Sequence, residues 1–385
     1  MEVQFKQQAI NILKKSAARI YKFIRENIVL TVAMLAALIT SFIVPPDGEY
    51  LGYFDFKTLS CLFSVLAVVC ALRNIRFFYT LAKAIVRKFR TARSAILVLV
   101  YITFIGSMLI ANDMALLTFL PLGYFILHTT GKEKYMAFTF IMQNIAANLG
   151  GMLTPFGNPQ NLYLYSKFNI PDAEFVSIMF PPFCVAIVLI TSACLIFVKN
   201  EPLTISERAA SLPWGRVSVY LALFALSILM VFRFMPYQVG LIVIPIVLFF
   251  LDRQALLNVD YGLLFTFVFF FIFAGNMARI DAVREMFSYL LSINTLIFSA
   301  MSCQLISNVP SAILLSQFTD NYRELLLGVN IGGAGTLIAS LASLITFKEY
   351  SKHDPKHTAG YLLKFTAFNF AFLIILIICC YIFGF

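Results

Sequence analysis

Asn148-Leu149-Gly150-Gly151-Met152-Leu153-Thr154-Pro155-Phe156-Gly157-Asn158-Pro159-Gln160-Asn161 interrupts an uncharged run that extends over residues 135–166. As one helix, those 32 residues would be ~48 Å long, well beyond a ~30 Å hydrocarbon core, so a single straight span is excluded. Two prolines and three glycines between Gly150 and Pro159 predict an unwound middle, because proline lacks an N–H and glycine favours irregular backbone. A second stretch, Asn330-Ile331-Gly332-Gly333-Ala334-Gly335-Thr336-Leu337-Ile338-Ala339-Ser340-Leu341-Ala342-Ser343, falls in register with the first 182 positions later. Asn148, Gly150, Gly151 and Thr154 meet Asn330, Gly332, Gly333 and Thr336, while Asn158 and Asn161 meet Ser340 and Ser343. The chain is thus expected to carry two broken helices.

Upstream of each break lies a second irregular feature. Residues 94–131 contain one acid, Asp113, at their middle, within Ile110-Ala111-Asn112-Asp113-Met114-Ala115-Leu116-Leu117. Two full spans joined by an outside turn, or a re-entrant hairpin with its tip inside the membrane, both fit this segment. The later segment is more decisive. Ser307-Asn308-Val309-Pro310 is followed by only eleven uncharged residues, 309–319, an arm of ~16 Å that would stop near the bilayer midplane. Backbone at that depth is tolerated only where protein buries it or a cavity meets it. Asn112 pairs with Asn308 at an offset of 196, so the first repeat holds 14 more residues between tip and break than the second. Hairpin followed by broken helix is therefore an internal repeat. Five crossings are expected between the hairpins: the first broken helix and about 175–198, 217–232, 237–251 and 261–278. An odd number inverts the second repeat, the arrangement of secondary transporters.

Composition and charge agree. Apolar residues make up 61% of the 385 and charged ones only 12%, which excludes a water-soluble fold and predicts an all-α polytopic membrane protein. The net charge of +10 does not require nucleic acid, because the basic residues are segregated. Following the path from a first span near 28–44 places all but six of the 29 Lys and Arg residues on one side of the membrane, which the positive-inside rule makes the cytoplasm. The N-terminus is then cytoplasmic and the C-terminus outside. A basic segment covers 1–27, a first repeat with scaffold helices 28–199, a cytoplasmic linker 200–216, and the second, inverted repeat 217–385. Between Arg73 and Arg93, Phe77, Phe78, Leu81, Ile85 and Phe89 recur at helical spacing, as expected of a helix lying along the cytoplasmic surface, with a short packing helix facing the cytoplasm as the alternative. The seven cysteines sit in apolar runs and read as buried small side chains. His353 and His357 fall in a Lys-rich loop and read as solvated residues, not a zinc site. Arg279 and Arg284 likewise read as solvated outer-loop residues, with attraction of anions as the alternative.

These stretches carry a resemblance. The combination of Asn112-Asp113-Met114-Ala115-Leu116-Leu117-Thr118, the two broken-helix motifs, Pro155-Phe156-Gly157-Asn158-Pro159-Gln160-Asn161 and Ser307-Asn308-Val309-Pro310 resembles the ion transporter superfamily. That group includes citrate-transporter-like permeases, arsenite permeases, divalent anion:sodium symporters and related sodium/proton antiporters. The resemblance covers both halves of the chain. It implies two re-entrant hairpins and two discontinuous helices around a shared site, usually in a homodimer in the plasma membrane. Dicarboxylate symporters carry Ser-Asn-Thr at both tips. Here the tips read Ala111-Asn112-Asp113 and Ser307-Asn308-Val309, closer to the arsenite-permease and citrate-transporter-like branch.

The chemistry expected is transport without a bound cofactor. No Gly-x-x-x-x-Gly-Lys-[Ser/Thr] loop supplies nucleotide energy and no His or Cys cluster supplies covalent chemistry, which leaves a membrane-embedded enzyme as the weaker alternative. Coupling to Na+ or H+ then follows. One cation site is expected on Asn112, Asp113, Gly150 and Thr154, and a pseudo-symmetric one on Ser307, Asn308, Gly332 and Thr336. An anionic substrate would meet half-helix N-termini, where free N–H groups and the positive dipole end favour negative charge, with Asn112, Asn158, Asn161, Asn308, Ser340 and Ser343 adding polar contacts. Asp113 is the central candidate, since a carboxylate at membrane depth is expensive and serves as a cation ligand or proton carrier. Its plainer alternative is an acid at an interfacial turn. For the glycine pairs the alternative is close helix packing.

Overall fold

The computed structural model describes residue 24 and residues 27–203 and 212–384. The basic segment expected over 1–27 lies almost wholly outside these residues, as does 204–211 of the linker. Among the described residues the fold is all helix, with one isolated bridge between Thr91 and Pro202. The protein is an all-α polytopic membrane protein.

Its first half opens with α1 (Ile28–Ile43), α2 (Phe56–Asn74) and a short α3 (Phe77–Val86). Asp55 starts α2 by accepting the backbone N–H of Thr58 at 2.9 Å, a cap worth about 1 kcal/mol. Apolar all round, α2 is buried along most of its length, as a core helix should be. Then come α4 (Ala92–Ile110) and α5 (Asn112–Thr129), hinged at Ala111, followed by α6 (Met136–Gly150), a break, α7 (Pro159–Lys167) and the long α8 (Asp172–Phe197). The second half runs α9 (Trp214–Val231), α10 (Tyr237–Leu251), the short α11 (Arg253–Leu257), α12 (Tyr261–Ala278) and α13 (Asp281–Ile293). It continues with α14 (Thr295–Ile306) and α15 (Asn308–Leu315), hinged at Ser307, then α16 (Tyr322–Ile331), a second break, α17 (Leu341–His353) and α18 (Thr358–Phe383). Asp260 caps α12 through Leu263 N–H at 2.9 Å, as Asp55 caps α2.

The same order of elements thus appears twice: hinge pair, broken helix, long helix. The halves interlock. α7 packs against α15 and α16 of the second half, while α17 packs against α5 and α6 of the first. Around this unit α1 lies along α12, and α2 packs against α9 and α10. Among the described residues, six helices are long and apolar enough to cross a membrane: α2, α4, α8, α9, α12 and the segment ending in α18. α1 and α10 are apolar but shorter.

Ion pairs fasten the exposed ends. Glu201 receives Lys132 Nζ at 2.7 Å and Lys134 Nζ at 2.6 Å, and these hydrogen bonds hold its carboxyl down at about 2. Arg279, expected as a solvated loop residue, instead donates to Asp47 at 2.7 Å and to Tyr53 at 3.1 Å, which keeps the Asp47 carboxyl below its usual range. His353 also departs from expectation. Its imidazole stacks on Tyr124 with ring centroids 3.5 Å apart and contacts Glu349 at 3.0 Å, because α17 continues through it and packs on α5. His357 stays exposed, beside Asp354 at 2.8 Å. All seven cysteines are free.

Candidate functional site

Both hinges rest on a non-glycine residue in left-handed territory, Ala111 at φ 65° and Ser307 at φ 73°. Such backbone costs on the order of 1–3 kcal/mol and persists only where surrounding contacts impose it. Those contacts are equivalent at the two tips. Asn112 N–H donates to Gly157 O at 3.1 Å and Asn308 N–H to Ala339 O at 3.0 Å. Each asparagine Oδ1 then accepts the next backbone N–H, Asp113 or Val309, at 2.9 Å.

The breaks are tied to the hinge pairs in the same way. Thr154 Oγ1 donates to Met108 O at 2.7 Å, and Thr336 Oγ1 to Gln304 O at 3.0 Å. Gly150 lies so close to the Phe104 carbonyl that a Cβ there would collide with it, and Gly332 approaches Ala300 closely. The offsets of 182 and 196 read from the sequence therefore recur in individual hydrogen bonds. Gly150, Thr154, Gly332 and Thr336, expected beside the ions, face the first arms of the hinge pairs and hold the breaks in place.

Between the tips lies a buried amide network. Asn112 Nδ2 donates to Asn148 Oδ1 at 3.2 Å, and Ser340 Oγ donates to the same oxygen at 2.8 Å. Asn158 Nδ2 reaches Asn148 O and Asn330 Oδ1, both at 3.1 Å, and Gln160 Nε2 reaches Asn330 Oδ1 at 3.2 Å. Asn330 Nδ2 donates to Asn161 Oδ1 at 2.6 Å, while Asn161 Nδ2 faces the freed carbonyls of Gly151, Met152 and Thr154. Ser343 sits behind this layer, accepting from Asn144 Nδ2 at 3.4 Å. Asn161 and Ser343 thus serve the backbone and the second layer, whereas Asn112, Asp113, Ser307, Asn308 and Ser340 come together on one cavity of about 330 Å³.

That cavity is where four helices begin. Its wall includes Asn112 and Asp113 of α5, Pro159 and Gln160 of α7, Asn308 and Val309 of α15, and Ser340 and Leu341 at the start of α17. Each half-helix presents its N-terminal turn, so four positive dipole ends face one space. Among the described residues, Asp113, Asp260 and Lys348 are the charged ones that line it. Asp113 Oδ1 and Gln160 Oε1 are buried without a hydrogen-bond partner, as is Asn158 Oδ1 behind them. Asn27, Asp260 and Lys348 put the mouth at the N-terminal ends of α1 and α12, the side that the charge pattern assigns to the cytoplasm. Among the described residues no group of three or more His, Cys, Asp or Glu is placed to hold a metal ion.

Some members of the site were missed in the sequence. Asn144 stands one helical turn before Asn148, a spacing that was available. Gln160 and Asn330 lay within the quoted motifs without being singled out. Asp260 and Lys348 carry no local signal, since only the packing of α12 and α17 brings them to the mouth.

The sequence of the chain matches known proteins. The sequence pattern of a family described as "Citrate transporter" fits residues 20–322. The chain belongs to that family. Relatives within reach of the citrate transporter family include the uncharacterized transporter MJ0456 of Methanocaldococcus jannaschii, 32% identical over 76% of this chain and 81% of its own. The inner membrane protein YbiR of Escherichia coli K12 is 26% identical over 82% of this chain and 86% of its own. A silicon efflux transporter, LSI3 of Oryza sativa subsp. japonica, shares 26% identity over 37% of this chain and 30% of its own.

Proposed function

We propose that this citrate-transporter-family protein is a secondary active transporter that moves a small anion, citrate or a dicarboxylate, with coupling to Na+ or H+ by alternating access. The observation that carries the proposal is the convergence of four half-helix N-termini on a cavity with the Asp113 carboxylate between them and Asp260 at its mouth. The positive dipole ends of these helix starts favour an anion, and Lys348 adds a cationic group at the mouth. The cation falls to oxygen atoms: Asp113 Oδ1 and Gln160 Oε1, both lacking partners, with Asn112, Ser307 and Asn308 completing the set at the two tips. Gly150, Thr154, Gly332 and Thr336 act as supports of that set. The unit of hinge pairs and broken helices moves against α1, α2, α9, α10 and α12, in an assembly that we take to be a homodimer in the plasma membrane with a cytoplasmic N-terminus. With the mouth at the Lys348 end, the conformation is inward-facing.

A second reading draws on the charge of the lining. Among the described residues two acids and one lysine line the cavity, a formal balance of −1 that suits an uncharged hydroxide better than a free trianion. Arsenite efflux, or transport of the kind named for the silicon-transporting relative, would meet that condition. Flux into proteoliposomes separates the readings, using citrate, succinate, phosphate, arsenite and silicic acid under imposed Na+ or H+ gradients. Gradient-driven uptake of a carboxylate, abolished by Asp113→Asn, is the expected result. Flux indifferent to both gradients and to Asp113→Asn would overturn the coupling assignment.

A further inference from the structure

A second cavity, of about 370 Å³, opens at the corner where α2 turns into α3 and meets α5. Its polar wall consists of Arg73, Arg76, Tyr79 and Thr118, and its apolar wall includes Leu117 and Phe78. No acidic side chain lines it among the described residues. Arg73, half-buried in the last turn of α2, has among the described residues only the sulfur of Met114, at 3.4 Å, as a side-chain hydrogen-bond partner. The nearby acid is already engaged: Asp252 takes the Asn74 amide at 3.2 Å and the Ala255 N–H at 3.1 Å. Arg76 is exposed and sits at φ 55°, a left-handed conformation that a non-glycine residue adopts at a cost. The corner therefore brings two guanidinium groups to one space without supplying an anion.

We propose that this cavity binds the headgroup phosphate of an anionic phospholipid. Guanidinium forks match phosphate oxygens, and a basic pocket between membrane helices on the cytoplasmic side is a site for lipid headgroups. The source is the bilayer, because the guanidinium pair borders apolar surface: Leu117 and Phe78 in the wall, and Leu81 exposed on the adjoining α3. An acyl chain finds cover there, whereas a free inorganic ion gains nothing from it. Leu117 also lines the central cavity, and Met114 follows Asp113 in the chain, so the lipid would sit directly behind the first tip.

Native mass spectrometry of the full-length protein, with graded phosphatidylglycerol or phosphatidylcholine, tests the assignment without reference to transport. Arg73→Gln with Arg76→Gln is expected to weaken phosphatidylglycerol binding about thirtyfold, and Arg76→Gln alone, at an exposed residue that the fold does not need, about fivefold. Arg87→Gln with Lys88→Gln removes equal charge just beyond α3, outside the cavity lining, and is expected to change binding less than about threefold. Unchanged binding in the Arg73/Arg76 variants, or an equal loss in the Arg87/Lys88 variant, would overturn the site. Displacement of the lipid by millimolar inorganic phosphate would overturn the lipid as its ligand in favour of a free anion.

Discussion

At the first tip Ala111 turns the chain and Asn112 N–H reaches Gly157 O; at the second, Ser307 turns it and Asn308 N–H reaches Ala339 O, with bond lengths within 0.1 Å. One step further the two part, with Asp113 in the first and Val309 in the second. They also differ in reach. α5 runs for 18 residues and α15 for 8, so the first pair extends past the central cavity to Pro121, Tyr124 and His128 while the second stops short. The repeat has kept the backbone frame, which four helix starts require, and let the ionisable chemistry become one-sided.

Removing that one-sidedness should have the largest effect. Asp113→Val gives the first tip the residue of the second and is expected to lower gradient-driven flux on the order of a hundredfold, the loss of one charged contact of ~3 kcal/mol. Adding Val309→Asp moves the carboxylate to the other tip. Flux in proteoliposomes should stay low, because the unpaired oxygen of Gln160 belongs to the first repeat. Restored flux would show that the tips are interchangeable.

A smaller effect tests the frame itself. A methyl at Gly150 collides with the Phe104 carbonyl and lies 2.7 Å from Ser107 Oγ, whereas one at Gly332 lies 2.7 Å from Gly328 O of its own helix and 2.9 Å from the Ala300 Cα. Gly150→Ala is expected to cost about 2–3 kcal/mol and Gly332→Ala about 1 kcal/mol, within the span for overpacked contacts. Thermal melting of the full chain in detergent reads the order, and a reversed order would mean that the second break is the more tightly held.

How much of this was legible is itself unequal between frame and site. Gly150, Pro155, Pro159 and the matching glycines exposed the breaks, because proline and glycine act on their own backbone wherever they stand. The tips were legible through run length, as with the short arm after Ser307. Which side chains share a cavity was not, since that depends on packing between distant segments. The Thr154 hydroxyl donates to the Met108 carbonyl at the end of α4, 46 positions away, a partner that no local signal marks. His353, in a lysine-rich stretch, gained a ring partner in Tyr124 only because α17 crosses to the first half. Charge pattern predicted a face for Arg279 but not the acids of residues 47–49 that close on it.

The smallest expected effect concerns the bases of the hinge pairs. Under the first, Lys132 and Lys134 converge on Glu201, whose backbone carbonyl also receives Ala92 N–H at 2.7 Å at the start of α4. Under the second, no such ion pair occurs among the described residues: Asn294 donates to Tyr381, and Leu296 N–H donates to Glu324 at 3.2 Å. The Glu201 carboxyl titrates at about 2 in the fold against an ordinary 4.5, so its contribution is complete above 4.5 and is lost as pH falls toward 2. Glu201→Gln should therefore lower the melting temperature slightly above about pH 5, and the two proteins should converge as the pH drops below about 4. Proteolysis at the bridged 91–93 and 201–203 segments should rise in the wild type over the same acid range and be raised already at neutral pH in the variant. Identical melting at every pH would mean that Glu201 acts through its backbone alone, and the two bases would then be equivalent.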